Sequence, residues 1–156
     1  TAAMLTARQT GIPVNMQEAL KHAQTAIRVR PQSPKGHDAV GQVNLAMGKI
    51  DDAVAAFEKS HELDSRNPDR AIQAATAEMT DSRYESAEKR LKTLTVTYEN
   101  HASVYIALAR LYAKQVKFDE AWEMINKASK AQICSAREQQ MIKQLMNQIQ
   151  PYRSKP

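Results

Sequence analysis

Cysteine and glycine are scarce in this 156-residue chain, which has one cysteine, Cys134, and four glycines. A lone cysteine excludes an internal disulfide framework, and no paired Cys/His ligand spacing occurs. No Gly-rich loop of the phosphate-cradling kind occurs. Aromatic residues are only 5% of the chain, too few for the stacking platforms that hold single-stranded nucleic acid. No apolar run approaches the ~18 residues of a membrane-spanning helix. The chain starts at Thr1 rather than Met, without a preceding signal-peptide pattern. It is therefore expected to be a processed protein or a piece of a longer one.

Ala, Gln, Glu, Lys, Leu and Met are plentiful, and they favour helix because they lose little rotamer freedom there. Hydrophobic residues make up 42% and charged residues 25%, an ordinary globular balance. The formal net charge of +5 gathers toward the two ends, while residues 34–101 carry a small acidic excess. A nucleic-acid binder would more often set its basic stripe along the middle.

Alignment of the chain with itself shows a repeat. Ala19, Ala53, Ala87 and Ala121 follow one another at intervals of 34 residues without insertion. Three residues before them stand Met16, Ile50, Tyr84 and Phe118. Four after them come Ala23, Phe57, Leu91 and Ile125, and seven after them Ala26, Ser60, Leu94 and Ala128. Offsets of −3, 0, +4 and +7 lie on one face of an α-helix. Twelve residues before the alanines sit Ala7, Gly41, Ala75 and Ala109, all small, which belong to a preceding helix and let the two helices approach closely. Each unit is thus an antiparallel helical hairpin that half-covers its own apolar face and needs a neighbour to cover the rest.

Boundary signals agree with this reading. Ser33-Pro34 and Asn67-Pro68 place a capping side chain before a proline at the first helical position. Asp51-Asp52 and Asp119-Glu120 open helices, where acids stabilise the dipole. Ser135 and Glu138 form the pattern of a capping box, ahead of a final helix whose apolar stripe is Met141, Ile142, Leu145, Met146 and Ile149. Helices are predicted at about 1–10, 15–30, 35–48, 51–64, 68–80, 84–97, 102–115, 118–131 and 135–150, with no strand.

These columns resemble the tetratricopeptide repeat (TPR) family. The second unit carries Gly41, Gly48, Ala53 and Phe57 and then HELDSRNP to Pro68; the fourth carries Tyr105, Leu108, Ala109, Tyr112, Phe118, Ala121 and Ala128. The first is degenerate at Thr6 and Thr10, and the third has Glu78 and Glu99 where tyrosine and proline are common. The resemblance implies an all-α, right-handed solenoid of four hairpins with a C-terminal capping helix. Residues 1–150 would then form a single domain, with units 1–33, 34–67, 68–101 and 102–135, a capping helix over 135–150 and a tail over 151–156.

The resemblance also implies a non-catalytic protein-interaction module whose concave groove is lined by the first helix of each unit. Projected onto this sequence, the groove takes Met4 and Arg8 from the first unit and Asp38, Gln42, Leu45 and Ala46 from the second. Ile72, Thr76, Met79 and Thr80 come from the third, and Ile106, Arg110, Ala113 and Lys114 from the fourth. An apolar centre between cations suits a partner protein or peptide with apolar anchors and some acidic residues, and methionine adapts to more than one shape. The alternative for Ile72 and Ile106 is that they pack helices. The Lys/Asn clamp by which some TPR domains hold acidic chaperone tails is absent, since Met4, Arg8, Ala39, Asp69 and Gln73 stand in those places.

Competing readings are weaker. His22, His37, His61 and His101 fall on different units, no HExxH occurs, and Cys134 has no nearby histidine, so no catalytic, cofactor or metal site is expected. Nucleic acid is disfavoured by the exact period and the acidic middle units. A structural alternative is a scaffold fragment that stacks or self-associates through its ends. Trp122, beside Ala121, either covers the edge of the core or offers a contact. The resemblance reaches bacterial envelope-assembly proteins and cytoplasmic scaffolds alike, so the compartment is left open.

Overall fold

The structure is a computed structural model, and it describes residues 14–153. Among these residues there are eight α-helices: α1 (Val14–Val29), α2 (Pro34–Ala46), α3 (Ile50–Leu63), α4 (Asp69–Thr80), α5 (Tyr84–Thr97), α6 (Ala102–Lys114), α7 (Phe118–Lys130) and α8 (Ala136–Ile149). A 3-10 turn, Gln150–Tyr152, follows α8. No strand forms among the described residues; the one extended contact is a parallel bridge between His101 and Ile133. The predicted helices match to within two residues at each end, apart from the one over 1–10, which lies outside the described residues, as do Met4, Arg8, Thr6 and Thr10.

The alanine columns are the contact surfaces of the hairpins. Ala53, Ala87 and Ala121 are fully buried, as are Ala75 and Ala109 on the opposing helices. The facing pairs are complementary in volume. At Gly41 an added Cβ would lie 2.6 Å from the Phe57 ring, so the largest residue of its column faces the smallest of the other. The third and fourth repeats use Ala75 with Leu91 and Ala109 with Ile125 at the same places. In α1 the column is incomplete: Ala19 is half-buried and Ala26 exposed, and residues 1–13, which the repeat would place against them, lie outside the described residues.

The same period appears in the backbone. Gly48, Ser82 and Val116 stand 34 residues apart, and all three have positive φ, at 73°, 58° and 63°. In each the positive-φ residue donates three residues back (Gly48 to Leu45, Ser82 to Met79, Val116 to Ala113) and its successor five residues back (Lys49 to Asn44, Arg83 to Glu78, Lys117 to Tyr112). This paired closure satisfies helix-end carbonyls and turns the chain. It also stops the first helix of each hairpin, so α2 ends at Ala46 rather than at 48. Glycine takes the conformation without strain; valine, with a branched Cβ, does not.

The helix starts follow their sequence signals with two differences. Ser135 and Glu138 form a capping box, each side chain bonded to the other's backbone N–H. Asn67 accepts from the Asp69 N–H at 3.2 Å, and Pro68 is the cap rather than the first helical residue. Ser33 makes no side-chain cap bond; Pro34 behind it has no N–H to satisfy.

The chain divides into two compact units between Arg66 and Asn67. In the first, Ile27 of α1 packs on Gly36, where a Cβ would come within 2.9 Å of it, and the buried Ser60 hydroxyl of α3 donates to the Pro34 carbonyl at 2.9 Å. In the second, Leu91, Val104, Leu108, Leu111 and Ile125 are the large residues wholly removed from water, and α8 packs on α6 and α7. Glu78, where the family commonly has tyrosine, is 4% exposed. Its carboxylate accepts from Ser86 Oγ at 2.7 Å and from Arg90 Nε and Nη2, both at 3.1 Å. A buried acid is tolerable here because its oxygens are hydrogen-bonded and its charge is paired.

Candidate functional site

The second unit contains a groove of about 820 Å³ walled by α4, α6 and α8. Short turns after α4 and after α5 reverse the chain twice, so α4 and α6 run in the same direction. Backbone bonds from Ile133 N–H to Asn100 O (2.8 Å) and from Ala102 N–H to Ile133 O (2.9 Å) bring the start of α8 beside the start of α6. The helix starts thus gather Asp69, His101, Ser103, Arg137 and Glu138 at one end of the groove. Arg110 and Lys114 line it from the last turns of α6.

Of the residues expected in the groove, Ile72, Thr76, Met79, Thr80, Ile106, Arg110 and Lys114 line this one cavity. Asp38, Gln42 and Leu45 lie on α2 in the first unit; Gln42 is exposed and Asp38 and Leu45 half-buried. Arg8 lies outside the described residues. Met79 and Ile106 are 6% and 3% exposed and belong to the core of the second unit. They form a floor rather than projecting anchors, so Ile106→Ser would damage folding as well as any binding. Ile72 is half-buried, and it offers the more accessible apolar surface.

Sequence projection missed the third wall. Ile133, 53% exposed, together with Arg137, Glu138 and Met141, lines the groove from α8 and the segment before it. The available signal was an isoleucine two residues before the Ser135 capping box. The 34-residue rule does not extend to it.

The electrostatics are one-sided. Arg110, Lys114 and Arg137 line the groove without an ion pair among the described residues. Of the two acids there, Glu138 is engaged locally: its Oε2 accepts from the Ser135 N–H and Oγ, both at 2.6 Å. Asp69 sits in the first turn of α4, where the helix dipole favours it. Gln73 also lines the groove, and its Oε1 is shielded from solvent with no hydrogen bond among the described residues.

Other candidate chemistry does not converge. No group of three His, Cys, Asp or Glu side chains able to hold a metal occurs among the described residues, and no described helix is long and apolar enough to cross a membrane. The Cys134 thiol is pushed above its ordinary value by burial first and by the Glu138 carboxylate second, which makes it a poor nucleophile at neutral pH.

Three solved structures illustrate the likeness of the architecture to known proteins. The thermophilic TPR protein TTC0263 of Thermus thermophilus superposes with a TM-score of 0.67 at 17% identity, over 91% of this chain and 77% of that one. MamA of Desulfovibrio magneticus gives 0.59 at 16% identity, over 95% and 82%. PilF of Pseudomonas aeruginosa gives 0.63 at 21%, over 95% and 66%. No protein-family model and no curated protein matches the sequence. The fold is the tetratricopeptide-repeat fold, an all-α array of helical hairpins.

Proposed function

We propose that the chain is a non-catalytic protein-interaction module and that the groove of the second unit binds a segment of a partner protein carrying an apolar anchor and acidic residues. The observation behind this is three cations, Arg110, Lys114 and Arg137, that have no ion pair among the described residues, around an apolar floor of Met79 and Ile106 in a cavity of about 820 Å³. Unpaired cations beside apolar surface favour a ligand that brings both a carboxylate and a hydrophobic side chain. Gln73 Oε1 accepts a donor from the ligand, for which an N–H of a bound backbone is suited. Asp38, Gln42 and Leu45 are proposed separately, as contacts made by the first unit.

The test uses a defined probe, a labelled 14-residue peptide with two leucines and four glutamates, and a control with lysine for every glutamate. Fluorescence anisotropy should show binding of the acidic peptide only. Arg110→Glu with Lys114→Glu should weaken it by at least about tenfold, since loss of even one charge-assisted contact of ~1.4 kcal/mol is a factor of ten. Both side chains are exposed, so the melting temperature should stay put. Equal binding of the lysine peptide, or indifference to the charge reversal, would dismiss the groove as the site.

A further inference from the structure

The last described residues fold back on α7. Phe118 and Trp122 are one helical turn apart on α7, so their rings share a face. The Tyr152 ring stacks on Phe118 with centroids 5.1 Å apart and planes at 25°. The Arg153 guanidinium lies 4.3 Å over the Trp122 ring. Pro151 lies in the 3-10 turn that carries Tyr152. Tyr152 is nevertheless 66% exposed, so the contact is made on the surface, beyond the core. Asp119 and Glu120 lie beside the ledge on the same helix, with Lys117 before it and Glu123 paired to Lys127 at 2.9 Å, while residues 147–156 contain two cations and no acid.

We infer that the Phe118–Trp122 ledge is a docking site for a protein segment bearing an aromatic residue followed by a cation, and that the chain's own Tyr152-Arg153 fills it in cis as a displaceable latch. A surface aromatic stack and a cation–π contact together favour the closed latch by a factor of roughly 5–60. The latch therefore opens often enough for a partner segment to enter. With a cis effective concentration on the order of 1 mM, the same segment supplied in trans would bind the emptied ledge at roughly 20–200 µM. Covering by the latch weakens apparent trans affinity by that same 5–60-fold factor.

Trp122 is the single tryptophan of the chain, which makes the ledge directly readable by fluorescence. The probe is a synthetic peptide of residues 148–156, titrated into the full chain, into a variant ending at Ile149 and into Tyr152→Ala/Arg153→Ala. The double variant keeps α8 whole and serves if the shortened chain loses its helical circular dichroism. Opening the latch should change Trp122 emission, and the peptide should restore it with at least fivefold higher affinity than it shows for the full chain. A peptide with Tyr152 and Arg153 replaced by Ala should not bind. The inference is overturned by unchanged Trp122 emission in the double variant, by no saturable binding up to 1 mM, or by affinities within twofold for open and closed chains.

Discussion

One methyl group added at Gly41 tests the packing logic of the repeat. In an exposed helix Gly→Ala would stabilise by about 0.8–1.0 kcal/mol. Here the new Cβ would stand 2.6, 2.7 and 2.9 Å from Cε1, Cδ1 and Cζ of Phe57. Carbon atoms rest at about 3.5–4.0 Å, so the ring or α3 must retreat by roughly 1 Å. Phe57 is 1% exposed and cannot swing into solvent. Overpacking of this kind costs about 1–3 kcal/mol, which outweighs the propensity gain and leaves a net loss of about 1 kcal/mol.

Phe57→Leu alone should cost about 1–2 kcal/mol through the space it opens. The double variant Gly41→Ala/Phe57→Leu adopts the small-with-aliphatic pairing seen at Ala75 with Leu91. It should be more stable than the sum of the singles by at least ~1 kcal/mol. Urea unfolding followed by far-UV circular dichroism, with unchanged slope across all four proteins, measures the cycle. The reasoning is refuted if Gly41→Ala stabilises the protein, or if the coupling lies within about 0.5 kcal/mol of zero.

Val116→Gly should stabilise, because left-handed backbone costs a side-chain-bearing residue about 1–2 kcal/mol while the looser unfolded chain returns about 0.4–1. A rise of roughly 2–4 °C in the melting temperature is the expected reading, and no rise would mean that this turn is not strained. Stability should also fall in alkali. Burial pushes Tyr98 above its ordinary 10.0, and burial followed by the hydrogen bond to Glu88 does so for Tyr112. Raised folded values mean that their stabilisation is complete below about pH 10 and is lost as pH climbs through the folded values. Tyr98→Phe/Tyr112→Phe should flatten that limb in pH-dependent melts, and an unchanged steepness would contradict it. Glu88 has the opposite sign: hydrogen bonding from Lys92, and secondarily from Tyr112, holds its carboxyl low against the opposing effect of burial. Its contribution is present above the ordinary 4.5 and is lost as pH falls through the folded value, so Glu88→Gln should soften the acid limb.

What was legible in the sequence was whatever depends on short-range spacing. Ala53, Ala87 and Ala121 at intervals of 34 residues define helices, their buried face and the close approach of each hairpin, because the 3.6-residue period and small-residue contact are local constraints. The capping box at Ser135 was readable for the same reason. Exposure within the groove was not. Met79 and Ile106 fall on the projected face, yet neighbouring helices cover them, and how far a helix face is covered depends on packing that spacing does not encode.

The sequence by itself therefore determined the repeat and the hairpins. Only the tertiary structure decided that α8 walls the groove, that Arg137 joins Arg110 and Lys114 there, and that Tyr152 and Arg153 return to Phe118 and Trp122. Each of these contacts has one side in the segment beyond residue 135, outside the 34-residue period, so no register foretells it. They arise where the capping helix ends the array and its flanking segments pack onto the last hairpin.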